Sequence, residues 1–125
     1  MRREKLRDIY RDSDLFLCQT INEGSPRVVL EALACGLPVI ASHHPGIDIL
    51  DPEGDWIAFT DFADVSEITR IVQDLRNNPS AWAQRALIAR AAVVERFSMP
   101  TVARQYVELY QQLTENAPAR RASAT

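Results

Sequence analysis

The sequence predicts an α/β fold, a partial Rossmann-like domain of about three parallel strands with flanking helices and a helical C-terminal region. Three observations point there. LFLC at 15–18, bounded by turn formers, reads as a strand buried on both faces, as parallel sheets require. PVIAS at 38–42 and WIAF at 56–59 are further apolar runs of strand type. An amphipathic helical stretch lies between the first two runs, and parallel neighbours need such a crossover.

The elements follow in order. Leu6, Ile9 and Tyr10 recur at helical spacing, and Asp12-Ser13-Asp14 closes that helix. After the first strand the chain enters QTINEGSP. Ser25 is a good N-cap and Pro26 suits the first helical position, where a missing N–H costs nothing. Val29, Leu30 and Leu33 supply the buried face of the helix, and Gly36 is the expected residue just past its end. HHPGIDILDPEGD, between the second and third strands, reads as a long loop or short helical turn. Three helices then follow: Ile68, Ile71, Val72 and Leu75 mark one, and Asn78-Pro79 opens another through Trp82, Leu87, Val93 and Phe97. Ser98 caps a third with Val102, Tyr106, Leu109 and Leu113. These stripes read as core faces. A single unit over 1–113 is expected, with 114–125 a disordered tail of small and polar residues.

Composition narrows the function classes. The 125 residues are 46% hydrophobic and 25% charged, which suits a globular chain with a core of its own. Fourteen basic and seventeen acidic residues leave a net charge of -3, with no electrostatic footprint for nucleic acid or an anionic membrane. The longest uncharged apolar stretch, 32–41, contains Gly and Pro and is far short of the roughly 20 residues a bilayer span needs. MRREKLRDIYRDSD has no apolar stretch of signal-peptide type. Cys18 and Cys35 make no disulfide framework, so a cytoplasmic protein with reduced thiols is expected.

The chemistry concentrates in N22-E-G-S-P-R-V-V-L-E-A-L-A-C-G36. In doubly wound folds ligands bind outside the carboxyl ends of the strands, where this loop begins. A helix N-terminus there offers free N–H groups and about half a positive charge, a site for phosphate. Glu31 leans back toward the first turn, because helical side chains point toward the N-terminus. Two carboxylates, Glu23 and Glu31, beside a phosphate would repel it, but each can accept hydrogen bonds from sugar or ribose hydroxyls. The pattern suits a nucleotide sugar. The plainer alternative is a surface ion pair between Arg27 and Glu31, worth about 0.2–0.5 kcal/mol. Its polarity is the less favourable one, with the cation in the first turn.

Other constellations are weaker. Cys18, Cys35, His43 and His44 lack a close Cys-x-x-Cys pair, so no metal site is expected. Neither cysteine has a basic sequence neighbour to activate it as a nucleophile. A glycosidase acid–base pair is disfavoured because a helix N-terminus favours the ionised carboxylate.

SDLFLCQTINEGSPRVVLEALACGLPVIAS, the Pro-Gly loop after it and ERFSMPTVARQYVELYQQL resemble the C-terminal half of the donor-binding domain of GT-B retaining glycosyltransferases of the group-one (family four) type. The resemblance covers roughly residues 6–113. It implies that Glu23 is the catalytic-site glutamate that lies against the donor sugar and contacts its hydroxyls. Glu31 would bind the ribose hydroxyls, and Gly24, Ser25, Pro26 and Arg27 would form the turn facing the donor phosphate and sugar. Pro26 has no N–H, which leaves those phosphate contacts to its neighbours. His43 and His44, leaving the second strand, are possible cleft-lining residues. The nucleotide sugar is substrate, and no cofactor is implied.

The resemblance also implies a first domain that this chain does not contain, and an Arg and Lys on the donor pyrophosphate that have no counterpart here. In the strand order 3-2-1-4-5-6 the chain would supply strands 4, 5 and 6. LFLC would then have an open edge, available to the missing N-terminal domain or to another chain. The leading expectation is therefore a glycosyltransferase part, inactive by itself, that holds a nucleotide sugar. A non-catalytic interaction module using the open edge is the alternative, and a sugar-nucleotide 2-epimerase-like protein the weaker one.

Overall fold

A computed structural model describes residues 2–20 and 27–117. The elements are α1 (Arg3–Asp12), β1 (Phe16–Cys18), α2 (Arg27–Ala34), β2 (Val39–Ala41), α3 (Pro45–Asp48), β3 (Ile57–Phe59), α4 (Val65–Asn77), α5 (Pro79–Phe97) and α6 (Met99–Glu115). The three strands form a parallel sheet in the order β1-β2-β3, with Phe16, Val39 and Ile57 in one row and Leu17, Ile40 and Ala58 in the next. The chain divides into two compact units, Met1–Val93 and Val94–Thr125, and the sheet lies in the first.

All three residues of β2 are buried, as expected of a central strand. For β1 the expectation of burial on both faces fails: Leu17 is 50% exposed. Leu17 shares a face with Ile40 and Ala58, because side chains in register point the same way. Ile40 packs against Ile71 of α4 and Trp82 of α5. Leu17, one strand outward on the sheet edge, is left half open. Phe16 points to the opposite face and meets the Tyr10 ring of α1 edge-on, 5.7 Å between centroids.

α2 buries Val29, Ala32 and Leu33, with Leu30 half-buried. It stops where Gly36 takes φ +75, which lets the Gly36 N–H reach the Leu33 carbonyl and the Leu37 N–H reach the Ala32 carbonyl. This double closure needs a residue without a Cβ penalty in the left-handed region. Leu37 is buried just beyond it and leads into β2.

The segment from β2 to β3 is held by two polar side chains. Asp51 is buried, and its carboxylate accepts from the N–H groups of Asp55 (3.0 Å), Trp56 (2.8 Å) and Ile57 (2.7 Å). Arg85 of α5 donates to the carbonyls of Gly54, Asp55 and Ile57 while lying over the Trp82 ring. A carboxylate on the N–H side and a guanidinium on the carbonyl side thus set where β3 begins.

In α5 the buried positions are Trp82, Ala86, Ala89 and Val93, a regular helical stripe. Leu87, expected in the core, is 61% exposed, because it falls one position off that stripe. The Trp82 indole N–H donates to Asp74 at the end of α4 (2.8 Å), and Asn78 donates to the other oxygen (2.8 Å). These bonds, the indole first, hold the Asp74 carboxyl below its usual value of 3.8. Its stabilising contribution is therefore complete above that value and is lost as pH falls through the depressed one. Urea midpoints of the wild type and Asp74→Asn should differ at pH 7 and converge under acid. A gap that stays constant down to acid unfolding contradicts this assignment.

In the second unit, Ser98 takes the extended N-cap conformation for α6, but its hydroxyl donates to Thr101 Oγ1 (2.9 Å) rather than accepting from a helix N–H. α6 runs through Glu115 and buries none of its residues. Tyr106, Leu109 and Leu113, expected as a core face, are each about half exposed. Their spacing marks a shared apolar face, and no described residue buries it.

Candidate functional site

Because α1 leads into the start of β1 and α2 leads from its end into the start of β2, both helices run against the strands. Their N-termini lie at the carboxyl edge of the sheet, the ligand edge of such folds. There Ser42, just past β2, ties down the chain leaving β1: the Thr20 N–H donates to Ser42 Oγ (3.1 Å), and Ser42 Oγ donates to the Thr20 carbonyl (3.3 Å). Glu23, Gly24, Ser25 and Pro26 follow immediately and lie outside the described residues.

The chain is described again from Arg27, at the start of α2. Arg27 and Glu31 line one cavity of about 390 Å³, whose other wall is α1, with Arg3, Arg7 and Tyr10. Among the described residues no ion pair joins Arg27 to Glu31, so the plain i,i+4 pair is absent. Arg7 makes an exposed contact with Asp8 at 3.4 Å, of a kind worth little.

At the inner end of the cavity is Tyr10, only 7% exposed. Its phenol is pushed above the ordinary value of 10.0, first by burial and then by the negative charge of the neighbouring Glu31 carboxylate. The phenol therefore keeps its proton on this face of the cavity.

His43 and His44 do not line this cavity. His44 caps α3, its Nδ1 accepting from the Gly46 N–H at 3.2 Å. The His43 ring stacks on Phe59, at the carboxyl end of β3, with 4.4 Å between centroids and 9° between planes. Its Nδ1 donates to Asp48 at 3.0 Å, and the side chain is 70% exposed. His43 thus stands at the carboxyl edge on the β2–β3 side, and Glu31 stands in the α1–α2 cavity.

Sequence reading missed Arg3, Arg7 and Tyr10 as companions of Glu31. The spacing of Leu6, Ile9 and Tyr10 marked an apolar face of α1 without saying which helix it meets; of the three, Tyr10 is buried, Leu6 is half-buried and Ile9 is 46% exposed. The available signal was topological: helices flanking one strand on the same face become neighbours. Among the described residues no group of three or more His, Cys, Asp or Glu side chains could hold a metal, and no described helix is long and apolar enough to cross a membrane.

Residues 1–92 match the family described as "Glycosyl transferases group 1". The D-inositol 3-phosphate glycosyltransferase of Rhodococcus opacus is 32% identical over 114 residues, covering 90% of this chain and 25% of that protein. The MMP alpha-(1->4)-mannosyltransferase of Mycolicibacterium hassiacum is 28% identical over 109 residues, covering 86% and 26%. Among solved structures, Anabaena HepE in complex with UDP superposes with a TM-score of 0.76 at 27% identity, over 84% of this chain and 29% of that one. HepE in complex with UDP-glucose gives 0.75 at 26%, with the same coverage. The chain thus spans about a quarter of the length of these relatives, and its three parallel strands with flanking helices match the corresponding part of HepE. With residues 1–92 matched to it, the chain belongs to the group 1 glycosyltransferase family.

Proposed function

We propose that this chain is the donor-binding part of a retaining glycosyltransferase, holding a nucleotide sugar at the carboxyl edge of its sheet. The observation that carries the reading is Glu31, which lines a cavity beside Arg27 on a helix whose N-terminus faces that edge. In this reading Glu31 accepts from the ribose hydroxyls and Glu23 from hydroxyls of the sugar, in its place against the reacting centre. The turn Gly24, Ser25, Pro26 and Arg27 faces the diphosphate. The held phosphate would assist departure of the nucleotide and deprotonation of the acceptor. Support comes from family membership and from the UDP and UDP-glucose complexes of HepE. The donor is a substrate, the reading needs no resident cofactor, and a cytoplasmic setting suits two cysteines, Cys18 and Cys35, that are not joined in a disulfide.

The strength of binding can be bounded. A helix terminus contributes about 0.3–2 kcal/mol and each further hydrogen bond about 0.5–1.5 kcal/mol. A Kd of 1 mM already needs about 4 kcal/mol. Titration of this chain with UDP-glucose, followed through backbone amide shifts, should saturate in the millimolar range, with the shifts concentrated at 20–35, and no sugar transfer should be detected. Shifts confined to other elements, or none at tens of millimolar, would reject the reading.

The exposed outer strand favours one further reading, a strand-edge contact at β1 with another segment or chain. Light scattering across a concentration series tests it: a dimer that forms tightly and ignores nucleotide supports that reading, and a monomer dismisses self-pairing.

A further inference from the structure

We propose that His43 is a sugar-binding residue at the carboxyl edge: with its ring fixed by Asp48 and Phe59, Nε2 meets a hydroxyl of a sugar ring. This inference rests on the reading of that edge as the place of a nucleotide sugar, and assigns a contact to the sugar half.

The placement comes from the sheet. His43 follows β2 directly after Ser42, whose hydroxyl ties down Thr20 beyond the end of β1, so the backbone carrying the ring is fixed to the backbone that leads to Glu23. The ring lies flat on Phe59, with 4.4 Å between centroids and 9° between planes. Its Nδ1 is 3.0 Å from Asp48 Oδ1. An ionised carboxylate only accepts, so the hydrogen sits on Nδ1 and the neutral ring carries its lone pair on Nε2. The side chain is nevertheless 70% exposed, and no described residue bonds Nε2. An exposed pair of this kind adds little to stability. What it does is hold an open ring in one orientation, which removes part of the ordering cost of binding.

The ligand class follows from charge and from the atom on offer. With His43 protonated the pair with Asp48 is neutral, and with His43 unprotonated it carries one negative charge, so an anion meets no net attraction. A hydroxyl suits both forms, because it donates to the neutral Nε2 and accepts from the protonated one. The sugar of the donor and a free saccharide acceptor share this chemistry.

The test uses the full chain labelled with ¹⁵N at histidine, with UDP, UDP-glucose, D-glucose and inorganic phosphate as probes. Without ligand, at a pH where the rings are neutral, His43 should show its hydrogen on Nδ1. His44, whose Nδ1 accepts from the Gly46 N–H, should show the opposite tautomer and serves as the internal control. His43 with its hydrogen on Nε2 overturns the inference. UDP-glucose should move the His43 Nε2 signal and UDP should not; a response to D-glucose without one to UDP-glucose makes the acceptor the source of the hydroxyl, and either response supports the site. No response to either sugar, or a response to phosphate, overturns it. In His43→Ala, checked for an unchanged urea midpoint, affinity for the responding sugar should fall about three- to tenfold; unchanged affinity overturns the inference. UDP shifts at 27–35 with a silent His43 overturn the inference alone, whereas a sugar response at His43 without UDP shifts at 27–35 rejects the nucleotide reading and leaves the sugar contact standing.

Discussion

Replacing Trp82 by alanine is expected to destabilise the first unit by about 3–5 kcal/mol, the range for deleting a large aromatic side chain from a packed core. Trp82 is 8% exposed and packs with Ile40 of the central strand and Ile71 of α4; partly buried Leu15, Ala58, Phe62 and Leu75 surround the group. Deletion would open a void under the middle of the sheet and remove the platform on which Arg85 lies. Since domains of this size are stable by about 5–15 kcal/mol, the loss should be plain in urea unfolding monitored by far-UV circular dichroism. Trp82→Phe keeps most of the ring but not the indole N–H to Asp74, and should fall between the two. An alanine variant within 1 kcal/mol of the wild type would show that α5 does not anchor the sheet.

The second large effect is expected at Asp51. Its carboxylate accepts from three consecutive N–H groups, and that of Ile57 is itself buried. Asp51→Ala takes away this acceptor, and a buried donor deprived of its partner costs about 1–3 kcal/mol. With two part-buried donors added, a loss of about 3 kcal/mol or more is expected. Hydrogen exchange should localise it, with protection at Ile57 falling much further than at Val29 or Leu33 of α2. Asp51→Asn, which keeps one accepting oxygen, should lose roughly half as much. Equal exchange throughout the unit would mean that the β2–β3 connection is not held from this carboxylate.

Much of this fold was legible because each strand is a short apolar run and each helix end carries a chemical marker. Gly36 stops α2 and His44-Pro45 starts α3 for local reasons, although only the first was read in advance. Burial was harder to read, since it depends on neighbours. LFLC is a strand as expected, yet its outer position leaves Leu17 half open. In α5 the larger side chain, Leu87, suggested the core, whereas the regular stripe runs through Ala86 and Ala89. The α6 stripe shows which side is apolar without supplying anything to cover it. Asp51 read as a turn residue; its partners four to six residues later required the folded backbone. At the site, the spacing of Arg27 and Glu31 was visible and their common cavity follows from it, but the approach of Tyr10 depends on how α1 and α2 lie together. Glu23, Gly24, Ser25 and Pro26 rest on the resemblance alone.

The paired hydrogen bonds between Ser42 and Thr20 have a kinetic and energetic consequence. They join positions 22 residues apart in sequence, so the start of the Glu23 loop has no fixed origin until β1 and β2 are side by side. The backbone at Thr20 and the β1–β2 pair are therefore fixed together. By linkage, any ligand gripping that loop also protects the β1–β2 amides, and nucleotide binding should slow exchange at Ile40 and Ala41, which the ligand never touches.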